Sequence, residues 1–225
     1  VAVVDKSTGK VTIKGAGTAV ITAKAAAGKN YEAGSASFTL TVAKAANAIT
    51  AKNITKTTAS TAQKISIGAT VKAPAALSYK SNNASVKVSS KGVVTIPKNF
   101  VGSAVITITS KATANYNAAA KKITVTVNPK STSLTSLTNP SKSKLVVEWK
   151  RNSKVSGYQI QYAVNSSFSS AKTVTAKGNT TIKKSITKSI IKGKTYYVRI
   201  RTYKTAGGKN YFSGWSKAMK LKIKK

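Results

Sequence analysis

The chain has no cysteine, no histidine and only three acidic residues, Asp5, Glu32 and Glu148, in a length of 225. Each scarcity closes a class of chemistry. Without Cys or His there is no thiolate nucleophile, no imidazole base and no zinc ligand set. Glycoside cleavage needs two carboxylates across one bond, and the three acids fall in different parts of the chain. Calcium prefers clustered carboxylates. No bound metal and no cofactor are therefore expected. Ser-Lys chemistry is what the composition leaves, but a Lys beside a Ser is more commonly a solvated surface pair, so the chain reads as noncatalytic. The lack of Cys suits a reducing compartment or a secreted protein that needs no disulfide. No apolar run reaches the roughly 18 residues of a membrane-spanning helix. The first residues carry no signal-peptide pattern, and Val1 opens in the middle of a repeat, which reads as a processed or excised piece of a longer protein.

What is abundant is positive charge. The 39 Lys and Arg give a formal net charge of +36, and all but Arg151, Arg199 and Arg201 are Lys. Arg recognises planar anions bidentately, whereas Lys supplies a field without fixed geometry. Such a field draws polyanions from a distance and weakens with salt; a solubilising coat is the plainer reading. The excess is uneven. Residues 1–46 hold six Lys against two acids, residues 47–129 eleven Lys and no acid, and residues 130–225 twenty-two Lys and Arg against one acid. Any electrostatic role concentrates in the last part.

An internal repeat organises the first half. Gly17-Thr18-Ala19-Val20-Ile21-Thr22 returns as Gly102-Ser103-Ala104-Val105-Ile106-Thr107, and Asn30-Tyr31 returns as Asn115-Tyr116 at the same spacing. Gly9-Lys10-Val11-Thr12-Ile13 aligns with Gly92-Val93-Val94-Thr95-Ile96, and an insertion of two residues near Lys98-Asn99-Phe100 absorbs the difference in spacing. Copy one begins only at the equivalent of Val86, so it lacks what Ile49 to Tyr79 supply in copy two. Half a β-sandwich leaves one face of its core uncovered. Val11–Ile13, Ala19–Thr22, Phe38–Val42, Val105–Thr109 and Ile123–Val127 alternate apolar with polar residues and are rich in β-branched side chains, the pattern of half-buried strands. Asn128-Pro129-Lys130-Ser131-Thr132-Ser133 reads as a linker.

Both copies resemble bacterial Ig-like group 2 repeats, on Tyr79-Lys80-Ser81-Asn82-Asn83-Ala84-Ser85-Val86, Ser90-Lys91-Gly92-Val93-Val94-Thr95-Ile96 and Gly102–Thr107. Beyond the linker, the chain resembles a fibronectin type III domain of secreted proteins of Gram-positive bacteria. Leu145-Val146-Val147-Glu148-Trp149, Gly157-Tyr158-Gln159-Ile160-Gln161-Tyr162, Gly193–Arg201 and Tyr211-Phe212-Ser213-Gly214-Trp215-Ser216 carry that likeness. The expected fold is all-β: tandem Ig-like sandwiches, the first partial, followed by a fibronectin type III sandwich. The expected domains are 1–45, 46–129 and 130–225. Alternation places Leu145, Val147 and Trp149 on one face, as it does Tyr158, Ile160 and Tyr162, and Tyr196, Val198 and Ile200; the resemblance implies that these faces point inward.

Two groups of residues stand out as candidate sites. Tyr197, Arg199, Arg201 and Tyr203 share the outward face of one strand, with Trp215 in reach of it. Guanidinium over indole would give a cation–π stack. Ser213–Ser216 resembles the second half of the W-S-x-W-S box of receptor fibronectin modules, which implies a structural stack; an aromatic platform of Tyr197, Tyr203 and Trp215 for a sugar ring is the functional alternative. The second group is a basic face. Lys220, Lys222 and Lys224 alternate along the final strand, spaced about 6.8 Å apart. Lys183, Lys184, Lys188, Lys192 and Lys194 form the densest basic stretch, with no acid beside it in sequence. Lys on an edge strand also blocks aggregation.

The expected partner is an anionic polysaccharide or cell-wall polymer: pectin-type polyuronate, teichoic acid or acidic mucin glycan. Nonspecific attraction for nucleic acid is expected too, although no nucleic-acid module is recognisable. The resemblances imply a secreted or cell-surface location and a monomeric rod within a longer chain. A passive stalk that displays another domain is the competing reading.

Overall fold

The computed structural model describes residues 1–224, which form 21 strands and, among those residues, no helix. Copy one contributes β1 (Ala2–Val4), β2 (Val11–Ile13), β3 (Gly17–Ala25) and β4 (Gly34–Val42). β1 pairs with β2 and β3 with β4, in two separate ribbons. Copy two contributes β5 (Ile49–Thr50), β6 (Ile54–Thr57), β7 (Gln63–Ser66), β8 (Thr70–Val71), β9 (Leu77–Ser81), β10 (Lys87–Val88), β11 (Val93–Ile96), β12 (Gly102–Ser110) and β13 (Ala119–Asn128). Here a sheet ordered β6-β13-β12-β9 faces one ordered β10-β11-β7. The repeat extends to register: Gly17 lies opposite Val42 in copy one as Gly102 lies opposite Val127 in copy two.

The alternation in the sequence becomes burial in copy two. Ala104, Ile106 and Ile108 of β12 and Ile123, Val125 and Val127 of β13 point into one core with Val86, Val94 and Ile96. Ile65 of β7 and the adjacent Ile67 add to it from the facing sheet, and Ile54 of β6 with Leu77 and Tyr79 of β9 widen it at the edges of the β12–β13 sheet. At about 25 cal/mol per Å² of apolar area removed from water, this burial is the main stabilising term. Copy one has no counterpart of that added set, and its apolar residues stay partly in water: Val3, Ile13 and Phe38 are 55%, 58% and 54% exposed. It rests on copy two through polar backbone contacts. Asn115 Oδ1 accepts from the Ala16 amide at 2.9 Å, and Lys44 Nζ donates to the Thr113 carbonyl at 2.8 Å.

The remaining strands are β14 (Leu134–Ser141), β15 (Lys144–Trp149), β16 (Gly157–Ala163), β17 (Lys172–Lys177), β18 (Lys183–Ile186), β19 (Thr195–Ala206), β20 (Lys209–Phe212) and β21 (Met219–Lys222). A sheet ordered β14-β15-β18 packs on one ordered β17-β16-β19-β20, with β21 also paired to β19. This is a fibronectin type III-like sandwich. Leu145, Val147, Trp149, Tyr158, Ile160, Tyr162, Tyr196, Val198 and Ile200 all lie in its core, so the faces that parity groups point inward, as the resemblance implies. Trp149 packs on Tyr158 with ring centroids 5.2 Å apart. The Tyr196 hydroxyl donates to the Ser189 carbonyl at 2.7 Å and accepts from the Ile191 amide at 3.1 Å, pinning the loop before β19. Gly207 and Gly208, at φ +54° and +73°, make the β19–β20 turn. A two-residue turn of this hand needs positive φ at both positions, which glycine supplies without a steric penalty.

The linker is held at both ends. The Thr58 amide donates to the Asn128 carbonyl at 2.9 Å. The Thr202 hydroxyl and the Asn152 amide group both donate to the Lys130 carbonyl, at 2.8 and 3.0 Å. The hydroxyls of Ser103 and Tyr211 meet directly across the joint at 2.9 Å.

Candidate functional site

The outer face of the β16–β19 pair is where the sequence places its aromatic and basic residues. Arg199 lies opposite Gln161, and Arg201 opposite Gln159. The Arg199 Nε donates to Gln161 Oε1 at 2.7 Å; the Arg201 Nε and Nη2 both donate to Gln159 Oε1, at 3.0 and 2.7 Å. These bonds flatten the two guanidinium groups along the sheet. Rings alternate with them. Arg199 sits 4.0 Å from the Phe168 ring centre and 4.9 Å from Trp215, and Arg201 sits 4.4 Å from Trp215 and 4.0 Å from Phe212. The order is Phe168, Arg199, Trp215, Arg201, Phe212. Burial, and then the neighbouring Arg199, lower the Arg201 pKa from its ordinary value.

Local backbone structure explains how Trp215 reaches this ladder. Between β20 and β21 the chain leaves the regular sheet, and two serine hydroxyls replace ladder acceptors. Ser213 Oγ accepts from the Thr202 amide at 3.0 Å, and Ser216 Oγ accepts from the Ile200 amide at 3.1 Å. With the amides of β19 satisfied in this way, Gly214 and Trp215 are free to rise over the arginines. Phe168 arrives from a loop. Asn165 Oδ1 accepts from the Ser169 amide at 2.9 Å and the Ser167 hydroxyl at 2.8 Å, and the loop carries Phe168 at φ +58°. Phe168 was not expected on this face. It lies on no strand, so alternation says nothing about it. The partners Gln159 and Gln161 were legible by parity.

Tyr203 departs from expectation. It is 8% exposed and packs on Phe212 with centroids 6.2 Å apart. Its partner across the ladder is Gly157, where a Cβ would come within 2.7 Å of the tyrosine ring. The missing side chain lets the ring settle onto the sheet, so Tyr203 offers no open platform. Tyr197 is half-buried beside Lys220, its register partner on β21.

The candidate lysines divide between two sheets. Lys220 and Lys222 stand exposed on β21, and Lys222 lies opposite Thr195. Lys192 and Lys194 join them. The Gly193 amide donates to the Ile223 carbonyl at 3.1 Å, and the Ile223 amide donates to the Lys194 carbonyl at 2.9 Å. Buried Ile223 anchors this end, and the Lys224 amide is held by Asn139 Oδ1 at 2.7 Å. Lys192, Lys194, Lys222 and Lys224 thus gather at one end of the sandwich. Lys183 and Lys184 do not join this group, because β18 pairs with β15. The basic stretch also has a counter-ion that the sequence did not reveal: Lys183 Nζ lies 2.7 Å from Glu148 Oε1. The two are direct cross-strand partners, and strand pairing is what joins residues so far apart in sequence. Lys188 is exposed in the loop that follows, its carbonyl accepting from the Tyr162 hydroxyl at 3.1 Å.

No family model and no curated protein matches the chain. Solved structures do. The fn3 domain of human contactin 1 is 19% identical, with 41% of this chain and 77% of that one covered and a TM-score of 0.35. The FN1–FN3 domains of chicken CNTN1 are 12% identical over 100% of this chain and 76% of that one, with a TM-score of 0.40. A cytokine receptor complex chain is 14% identical over 78% and 96%, with a TM-score of 0.43. These are similarities of β-sandwich architecture, and the fold stands on the strand order given above. By that strand order the chain is all-β, with an Ig-like sandwich in copy two and a fibronectin type III-like sandwich after it. No helix among the described residues is long and apolar enough to cross a membrane.

Proposed function

We propose that this chain is a noncatalytic extracellular module array that holds an anionic polysaccharide through lysines of its last module. It would serve as an adhesion or substrate-targeting region of a secreted or surface protein of Gram-positive bacterial type. The domain division 1–45, 46–129 and 130–225 is part of this reading. The observation that carries it is the gathering of Lys192, Lys194, Lys222 and Lys224 at one end, continuous with Lys220 along β21, while Glu148 is taken up by Lys183. Lysines spaced along a strand match a polymer with regularly repeated charge better than a small ligand. Many weak contacts then act together, and avidity follows the number engaged.

The aromatic ladder plays a supporting part in this reading. Its rings are occupied by Arg199 and Arg201, which stiffens the sheet from which the lysines project. With no His in the chain, no side chain has an ordinary pKa between pH 5 and 8, so binding should respond to salt and hardly to pH across that range.

The test is titration of the protein with polygalacturonate, teichoic acid and a neutral glucan at low and high salt. A salt-sensitive preference for the polyanions, weakened by K220A/K222A/K224A, is expected. Equal and salt-indifferent behaviour towards all three polymers would leave the passive stalk as the better account.

A further inference from the structure

A second basic feature lies away from the β21 lysines, where copy two meets the last module. A cleft of about 620 Å³ opens there, within the roughly 300–1,000 Å³ range of small-molecule sites. Lys130, Lys150, Arg151 and Lys154 line it, and no acidic residue does. Among the described residues none of these four cations is in an ion pair. Two of the chain's three acids, Asp5 and Glu32, belong to copy one, and the third is engaged by Lys183. The cleft therefore holds concentrated positive charge with no internal counter-ion.

The framework of the cleft is fixed. The Lys150 amide donates to the Ser133 carbonyl at 3.0 Å, and the Thr132 hydroxyl bonds the Lys150 carbonyl. The Asn152 amide proton goes to the Tyr158 hydroxyl at 2.9 Å, and Asn152 Oδ1 accepts from the Lys154 amide at 3.1 Å. On the opposite wall, the Asn99 amide donates to the Ala59 carbonyl at 2.8 Å, with Asn99 itself at φ +57°. That is the two-residue insertion which separates the repeats, so this wall has no equivalent in copy one.

We infer that this joint cleft is a discrete site for an acidic sugar, a short oligouronate whose carboxylates meet Arg151 and its neighbouring lysines. Arg is the side chain suited to bidentate carboxylate recognition, and Arg151 is the one arginine outside the ladder. Hydroxyl and amide residues around it, including Ser131, Ser133 and Asn99, suit a polyhydroxylated ligand. The absence of any aromatic side chain from the lining disfavours a nucleic-acid strand, which would stack on such rings. The inference shares its ligand class with the proposed function but not its residues.

Calorimetric titration of the full chain with tetragalacturonate, an oligomer of glycerol phosphate and cellotetraose tests it. One tetragalacturonate per chain is expected, with the other two weaker. R151A/K154A should weaken it about tenfold, since bonds to charged groups are the stronger ones. K220A/K222A/K224A should leave it within about twofold, since distant exposed charges are screened. Arg151 and Lys154 are exposed where they line the cleft, and circular dichroism of each variant confirms that it folds. Polygalacturonate binding that survives without a stoichiometric tetramer site overturns the cleft and spares the proposed function. Tetramer binding lost on K220A/K222A/K224A but kept in R151A/K154A does the same. Glycerol phosphate bound as tightly as the uronate overturns the assignment to a sugar acid. Tetramer binding at the cleft alongside polymer binding indifferent to the β21 lysines sinks the proposed function and keeps the cleft.

Discussion

Ile13 and Phe38 of copy one are 58% and 54% exposed, and their counterparts Ile96 and Ile123 of copy two are 0% and 2% exposed. Apolar character, alternation and the register of the β3–β4 and β12–β13 hairpins are shared. What differs is the rest of the sandwich. In copy two the segment from Ile49 to Tyr79 adds β7 to the facing sheet and β6 and β9 to the edges of the β12–β13 sheet; no segment among the described residues does so for copy one. Alternation thus makes a face, and only a partner makes a core. The same side chain is worth a few kcal/mol in one place and a fraction of that in the other, because the transfer from water is completed only once.

Paired truncations probe this contrast most strongly. Ile106→Ala in copy two should cost about 2–5 kcal/mol in a denaturant melt, as buried Ile deletions do. Ile21→Ala, at the equivalent half-buried position, should cost less than about 1 kcal/mol. Equal costs would mean that copy one has a covered core after all. A smaller effect is expected from supplying the missing cover. Fusing a duplicate of residues 47–83 ahead of Val1 should quench most of the hydrophobic-dye binding of copy one and slow amide exchange in β3 and β4. Unchanged dye binding would show that the two faces are less alike than the repeat implies. The smallest effect falls in the last module, whose core is complete. Arg201→Ala removes one rung of the ladder and should cost roughly 0.5–2 kcal/mol, read as a modest fall in melting temperature. A loss as large as that of Ile106→Ala would make the outer stack as important as the core.

Much of this was legible before any coordinates. Strands of period two are easy to read when β-branched residues alternate with Thr, as in Val125-Thr126-Val127. Parity grouped the apolar residues of β15, β16 and β19 on shared faces, and the family resemblance implied that those faces point inward, as they do. The outward face was legible in part: Arg199, Arg201 and Trp215 were placed together, while Phe168 was not, because a loop residue carries no periodic signal. Of the two readings the sequence left for Tyr203, stack or open platform, its burial against Phe212 and beside Gly157 favours the stack, and those contacts are set by register. The Lys183–Glu148 pair escaped for the same reason. The joint cleft has no motif; it exists because the linker is tied on one side to Thr58 and on the other to Asn152 and Thr202.

The amino-acid sequence by itself determined the charge, the scarcity of acid and base groups, the strands and the side of each strand that is apolar, since these depend on composition and on spacing along one chain. Tertiary structure decided which apolar faces are covered, which lysines are neighbours, how five rungs of ring and guanidinium interleave, and where a basic cleft opens. Those outcomes depend on distances between residues far apart in sequence, and such distances are fixed only when sheets pack and strands pair.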